Sequence, residues 1–302
     1  NCRIITAWDQ NVTGGFNDYG YGVIYNTTEK ILAARHDNSY DTHGTHVLGI
    51  AGGSSSSAYK GIATGAQLAV VSTNKSEQGI IDGVDYLIKY AESQGKPIAI
   101  NVSLGTVLGY KDGTSNFAQL LDQLLSGKKG VLLSIATGNE GHRNTMIASN
   151  NNCSSTLVPP SYGRENIFMQ GETGHSYKLK LTLKNTATGD VLLEKILTSD
   201  NETSEKITDF GTDDRANALL TMSSLKNAIT EFTTDGGKYM AACDYGSFAA
   251  GGNEGFVDGS SASTLASTST GKNPIAVGAY VSRKDYTDIS GKIHNNPWTE
   301  GD

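Results

Sequence analysis

The chain has 302 residues, a formal net charge of −7, 37% hydrophobic and 18% charged residues. Mild acidity argues against a nucleic-acid binder, which carries a basic stripe, and the apolar content excludes a disordered tail. No uninterrupted apolar run reaches the roughly 18 residues of a membrane span, and the length holds one large domain or two medium ones with a real core. The first half alternates two kinds of segment. Ile4-Ile5-Thr6-Ala7-Trp8 is a strand-like run ending at Asp9, and Leu68 to Ser72 is a buried-type strand. Ile80, Ile81, Val84, Leu87, Ile88 and Ala91 recur at helical spacing. Ile98 to Ser103 is the next buried strand, Phe117, Leu120, Leu121, Leu124 and Leu125 mark a second amphipathic helix, and Val131 to Ile135 is a third strand. Continuous apolar strands alternating with helices predict a parallel α/β sheet.

The pattern changes after Pro159-Pro160. From Ser176 to Asn185, Tyr177, Leu179, Leu181 and Leu183 alternate with lysines and threonine, the signature of a half-buried antiparallel strand. Val191 to Leu197 is its partner across Thr188-Gly189-Asp190. Pro274 to Tyr280 returns to the buried type. The expected layout is therefore an α/β unit over 1–162, an inserted β domain over 163–250, and a continuation of the α/β unit over 251–302. Asp200 to Arg215 carries six acids and two bases and reads as a solvated loop. The three cysteines, Cys2, Cys153 and Cys243, are odd in number and widely spaced, so they set up neither a disulfide framework nor a zinc knuckle. The chain opens at Asn1 without Met or a signal peptide, which predicts an excised or processed piece.

The most informative string is Asp41-Thr42-His43-Gly44-Thr45-His46-Val47-Leu48-Gly49-Ile50-Ala51-Gly52. A polar turn leads into a helix whose small residues suit deep packing on a sheet, and an imidazole at its start suits general-base work near neutral pH. The string resembles the His-Gly-Thr-His-Val motif of the subtilisin family of serine peptidases. Asn101-Val102-Ser103-Leu104-Gly105 resembles the family's substrate-binding strand, and Ala136-Thr137-Gly138-Asn139-Glu140-Gly141 its oxyanion segment. Gly61 to Ala66 is similar to its Gly-Val-Ala-Pro-Gly-Ala, with Thr64 in place of proline, and Pro274 to Tyr280 to its Ile-x-Val-Gly-Ala strand.

The resemblance implies an α/β fold with a subtilisin-like parallel sheet and flanking helices, interrupted by an antiparallel β-sandwich or jelly-roll-like domain. It implies a serine endopeptidase working by a Ser-His-Asp mechanism on a peptide or protein substrate, with no cofactor. It makes His43 the general base and Asn139 the oxyanion donor. Ser103, Leu104 and Gly105 become the strand that pairs with substrate backbone, while Ala136 and Gly138 line the pocket for the residue before the scissile bond. Two family landmarks have no counterpart. No Ile-Asp-Thr-Gly string is present; Asp9 lies 34 residues before His43, but Trp8-Asp9-Gln10 more closely resembles a strand found after the catalytic Asp in subtilases with an inserted β domain. No Gly-Thr-Ser-Met-Ala-x-Pro helix is present either. Gly113-Thr114-Ser115 opens an amphipathic helix, where Ser115 reads as a cap, and Gly259-Ser260-Ser261 precedes Pro274 to Tyr280 and lacks the helix pattern. The expectation is that acid and serine lie outside these residues and that the chain alone is inactive.

Zinc at His43 and His46 lacks the Glu of His-Glu-x-x-His and a third ligand, so His46 reads as structural and no metal is expected. His36, His142, His175 and His294 show no partner spacing, and the Asn201-Glu202-Thr203 sequon carries no argument. The rival class is a non-catalytic subtilase-like protein that binds peptides or a partner. A third reading, a carbohydrate- or protein-binding β insertion, lacks a cluster of exposed aromatics.

Overall fold

The computed structural model describes residues 3–35, 37, 41–54, 59–107, 109–158, 166–172, 174–185, 187–199, 206–211, 228–243, 246–288, 290–295 and 297. In chain order the first part comprises β1 (Ile4–Asp9), β2 (Val23–Tyr25), α1 (Thr28–Ala34), α2 (His43–Gly52), β3 (Leu68–Ser72), α3 (Glu77–Ser93), β4 (Ile98–Val102), α4 (Asn116–Leu125) and β5 (Val131–Ala136). Strand β3 runs parallel to β1, with β2 antiparallel on the other side of β1. Strand β5 runs parallel to β4, and a short later strand, β15 (Ile275–Val277), adds in parallel to the outer side of β5. The parallel strands and helices α3 and α4 are those the hydrophobic periodicity predicts, α2 is the helix expected of the histidine string, and α1 is not predicted.

Helix α3 starts because the Ser76 hydroxyl accepts the Gly79 N–H at 2.9 Å and Glu77 sits in the first turn, where the helix dipole favours an acid. Its apolar stripe, Ile81, Val84 and Ile88, packs with Phe117 and Leu121 of α4 on Ile100, Leu133 and Ile135. Full burial of each such side chain stabilises the fold by about 1.5–3 kcal/mol. The same helix reaches the other sheet. Trp8 is fully buried with its ring 5.4 Å from Tyr86, and Tyr19 stacks on it at 4.6 Å.

One continuous parallel sheet is the sequence expectation. The ladders instead form two three-stranded pieces, with α3 as the element common to their packing. Strand β15 also departs from its apolar pattern, since Ile275 and Val277 are both half exposed. They pair with Ser134 and Ala136, which alternate with the buried Leu133 and Ile135 and so face away from α3 and α4.

The antiparallel part contains β6 (Met146–Ser149), β7 (Cys153–Val158), β8 (Asn166–Gly171), β9 (Tyr177–Lys184), β10 (Val191–Ser199), β11 (Lys206–Gly211), β12 (Ala228–Thr234), β13 (Tyr239–Cys243) and β14 (Ser247–Ala249). They form a five-stranded sheet, β10-β9-β12-β7-β14, and a four-stranded sheet, β11-β8-β13-β6. One hydrophobic cluster joins Leu179, Leu181, Phe232 and Phe248 of the first with Ile147, Ile167, Met169 and Ala241 of the second. Lys180, on the opposite face of β9, lies 3.1 Å from Glu194 and 3.7 Å from Glu231. The antiparallel strands begin at Met146, ahead of the boundary at 163 that the patterning suggests. Strands β6 and β7 have four and six residues, too short and mixed for alternation to show. Ser260 closes this part by exchanging backbone hydrogen bonds with Met146 at 2.7 and 3.1 Å. The described residues hold two further short strands, β16 (Asp285–Thr287) and β17 (Ile293–Asn295), paired antiparallel. No helix among them is long and apolar enough to cross a membrane. Pro159 and Pro160, most of the acidic Asp200 to Arg215 stretch, the Asn201 sequon and His36 lie outside the described residues.

Candidate active site

His43 is the first residue of α2. Its backbone N–H, one of the unpaired donors at a helix start, is taken by Asp41 Oδ1 at 2.9 Å. The other Asp41 oxygen lies 2.8 Å from Lys75 Nζ. These two donors, Lys75 foremost, hold the Asp41 carboxyl below its ordinary pKa. At the far end, the Gly61-to-Ala66 string folds back over the helix. Ile62 N–H donates to Ile50 O at 3.0 Å and Ala63 N–H to Ala51 O at 2.8 Å, satisfying carbonyls that a helix end leaves open. The Arg3 guanidinium then joins the pieces, with Nη1 on Gly52 O at 2.6 Å, Nη2 on Ala63 O at 2.8 Å and Nε on Ala66 O at 2.9 Å. Gly52 packs closely on β3: a Cβ there would sit 2.7 Å from Leu68 Cδ2, so the leucine side chain would have to shift to admit one.

The helix does not pack deep, contrary to expectation. His43 and His46 are exposed, Ile50 is 57% exposed, and Gly52 is its only buried residue. Among the described residues the His43 imidazole has no hydrogen-bond partner. Small residues permit close packing of a helix, but another element must arrive to cover it. Asp9 is buried at the end of β1, where its Oδ1 accepts the Asn11 N–H at 3.0 Å. Ser115 caps α4 by accepting the Ala118 N–H at 3.2 Å, as the sequence suggests. Ser261 is exposed beside a turn in which the Ser260 hydroxyl accepts the Ala262 N–H at 3.0 Å.

The second group of residues lies at the ends of β4 and β5. Val102 pairs with Ile135, so Ser103, Leu104 and Gly105 leave β4 beside Ala136, Thr137 and Gly138 leaving β5. Ser103 Oγ accepts from Asn101 Nδ2 at 2.9 Å, and Ser134 Oγ donates to Ile100 O at 3.2 Å. Gly138 has φ +97°, a conformation that favours glycine and turns the chain so that Asn139 is exposed. Among the described residues the Asn139 side-chain amide has no hydrogen-bond partner.

Sequence reasoning missed what lies between these strand ends. The chain returns after the β part as a single 3₁₀ turn, Ser267–Ser269, bracketed by Ala266 and Thr270. Ala266 N–H donates to Thr137 O at 2.7 Å and Ser267 N–H to Thr106 O at 2.8 Å. Thr268 Oγ1 is buried with no hydrogen-bond partner among the described residues, a state that costs about 1–3 kcal/mol. The signal was a run of small residues just ahead of an apolar strand, which carries no motif of its own. Two histidines also have partners that spacing could not show. His175 Nδ1 lies 2.7 Å from Asp235 Oδ1, and His294 Nε2 lies 2.8 Å from Asp288 Oδ2. His142 is exposed. The structure thus brings together Ser103, Leu104, Gly105, Ala136 and Gly138, with Asn139 beside them; no hydrogen bond joins His43 to this group among the described residues.

The subtilase family model matches residues 16–231, and the chain belongs to that family. No curated protein sequence matches it. Among solved structures the chain is similar in fold to the CspB protease of Clostridium perfringens, with a TM-score of 0.53 and 16% identity over 82% of this chain and 55% of that one. It therefore spans about half the length of that protease. A structure of infectious bursal disease virus, Gx strain, aligns over 41% of this chain and 33% of that chain with 12% identity, and its TM-score of 0.18 carries no argument.

Proposed function

We propose that the chain supplies the general base, the oxyanion donor and the substrate-binding strand of a serine endopeptidase, hydrolysing peptide bonds by a Ser-His-Asp mechanism. The observation that carries this reading is the exposed Asn139 amide, without a hydrogen-bond partner among the described residues, beside the ends of β4 and β5 in a chain of the subtilase family. The substrate backbone pairs with Ser103 to Gly105, and Ala136 and Gly138 line the pocket for the residue before the scissile bond. His43 takes the proton of a serine hydroxyl as its oxygen adds to the scissile carbonyl carbon. Asn139 donates an N–H to the oxygen that becomes negative. His43 then returns the proton to the leaving amine, and water repeats the sequence on the acyl-enzyme.

Serine and orienting carboxylate come, in this proposal, from sequence beyond these 302 residues, because Ser115 is engaged as a cap and Asp9 is tied to its own loop. The chain alone is then inactive. We further propose that the β insertion, from about Met146 to Ser260, is a jelly-roll-like domain; its two antiparallel sheets, β10-β9-β12-β7-β14 and β11-β8-β13-β6, around one hydrophobic cluster support that reading.

The test is peptide hydrolysis by the protein in its natural length. His43→Ala should lower kcat by about 10⁴-fold or more and Asn139→Ala by about 10²–10³-fold. Unchanged turnover in both variants would end the reading. A second reading, a non-catalytic peptide- or partner-binding subtilase-like protein, is favoured by one observation: the His43 imidazole has no partner among the described residues. It predicts peptide binding without turnover in the natural-length protein.

A further inference from the structure

The oxyanion segment is fixed on the two sides of Asn139 by different parts of the molecule. Upstream, Thr137 N–H donates to Val277 O at 3.1 Å, and Thr137 O accepts the Ala266 N–H at 2.7 Å. Downstream, the first hydrogen-bonded residue among those described is Glu140, and its partner is Arg143. Glu140 O accepts the Arg143 backbone N–H at 2.9 Å, and Glu140 Oε2 lies 2.5 Å from Arg143 Nη1. Arg143 Nη2 donates to Gly246 O at 3.0 Å, in the connection between β13 and β14. The Arg143 and Glu140 side chains are only 22% and 19% exposed, so the pair is sheltered and its bonds are charge-assisted. Past Arg143 the chain is fastened to the β insertion, with Asn144 O accepting the Phe248 N–H at 2.8 Å and Thr145 O the Cys243 N–H at 3.0 Å. Packing does little in between: a Cβ placed on Gly141 would meet nothing within 4 Å.

We propose that Arg143 is a positioning residue for the oxyanion donor: by holding Glu140 against the β insertion, it fixes the backbone from which the Asn139 amide projects. This rests on the peptidase reading. A donor stabilises the transition state only where its N–H already points at the developing charge, so a loose backbone at Asn139 costs rate. A guanidinium suits the task, since one planar group serves the Glu140 carboxylate with one nitrogen and the Gly246 carbonyl with the other. Lysine can keep the ion pair but cannot bridge both. Methionine, similar in length and uncharged, keeps neither bond and leaves the sheltered carboxylate unpaired.

The experiment measures the second-order rate of fluorophosphonate labelling in the protein of natural length, which requires no known substrate. Arg143→Met should slow labelling by about tenfold or more, and Arg143→Lys should recover at least about threefold of that loss. On an Asn139→Ala background, Arg143→Met should cost less than about twofold, because the group it positions is gone. A merely structural role would slow labelling equally on both backgrounds. Should Arg143→Met fail to fold, Glu140→Gln weakens the same link and should slow labelling about threefold, again only with Asn139 present. Equal losses on the two backgrounds, or wild-type rates in both variants, would overturn the assignment of Arg143 alone. A wild-type protein that the probe does not label would overturn the peptidase reading and this assignment together.

Discussion

The two halves of the proposed site are built in opposite ways. The strand ends around Gly105 and Gly138 rest on a packed helical layer and pack against Ala266, whereas the helix that begins at His43 lies open to solvent along most of its length. The first half is a product of packing: Ile81, Val84, Ile88 and Leu121 fix β4 and β5, and the loops that follow inherit their positions. The second is held at its ends, by Asp41 at the start and by Arg3 and the Gly61-to-Ala66 string at the finish. A helix restrained at its termini keeps its conformation while, among the described residues, most of its side faces stay exposed.

Substitutions can break or sharpen this contrast. Within the packed regions, Phe232→Ala between the two antiparallel sheets should cost about 3–5 kcal/mol and Leu121→Ala beneath β4 and β5 about 2–5 kcal/mol, read as shifts in denaturant midpoint. Ser115→Ala removes one capping bond and should cost about 1 kcal/mol; a change above about 3 kcal/mol would contradict a purely capping role. A smaller effect should appear only in acid. The Ser176 backbone N–H, followed by His175, holds the Asp235 carboxyl down at about 2. A depressed folded value means that this stabilisation is complete above the unfolded pKa of about 3.9 and is lost as pH falls through about 2. Asp235→Asn should therefore flatten the acid limb of the stability curve between those values and leave its neutral-to-alkaline slope unchanged. Smallest of all, Ile50→Ala on the open face of α2 should change stability by less than about 0.5 kcal/mol. A loss of 2 kcal/mol there would mean that the helix is covered in solution.

The sequence shows most plainly what rests on local periodicity. Helices α3 and α4, strands β3, β4, β5 and β9, and the turn from β9 into β10 all follow from spacing, because their faces are buried on one side or both. Short strands such as β6, β8 and β13 escape notice, since their identity depends on partners up to a hundred residues away. The site divides in the same way. His43 and Asn139 stand out because each sits in a distinctive string. The turn from Ala266 to Thr270 does not, because nothing local marks a run of small residues as the segment that packs against Gly105 and Gly138. The open setting of α2 was equally hidden: a string specifies a helix and its ends, while its burial depends on what else is present to cover it.

The most direct test of the central claim is fluorophosphonate labelling of the protein in its natural length, with the adduct mapped by mass spectrometry. The account predicts a labelled serine outside these 302 residues, with labelling severely reduced by His43→Ala and partly by Asn139→Ala. An adduct on Ser115, Ser261 or any other serine of this chain would contradict it and make these residues a complete catalytic unit.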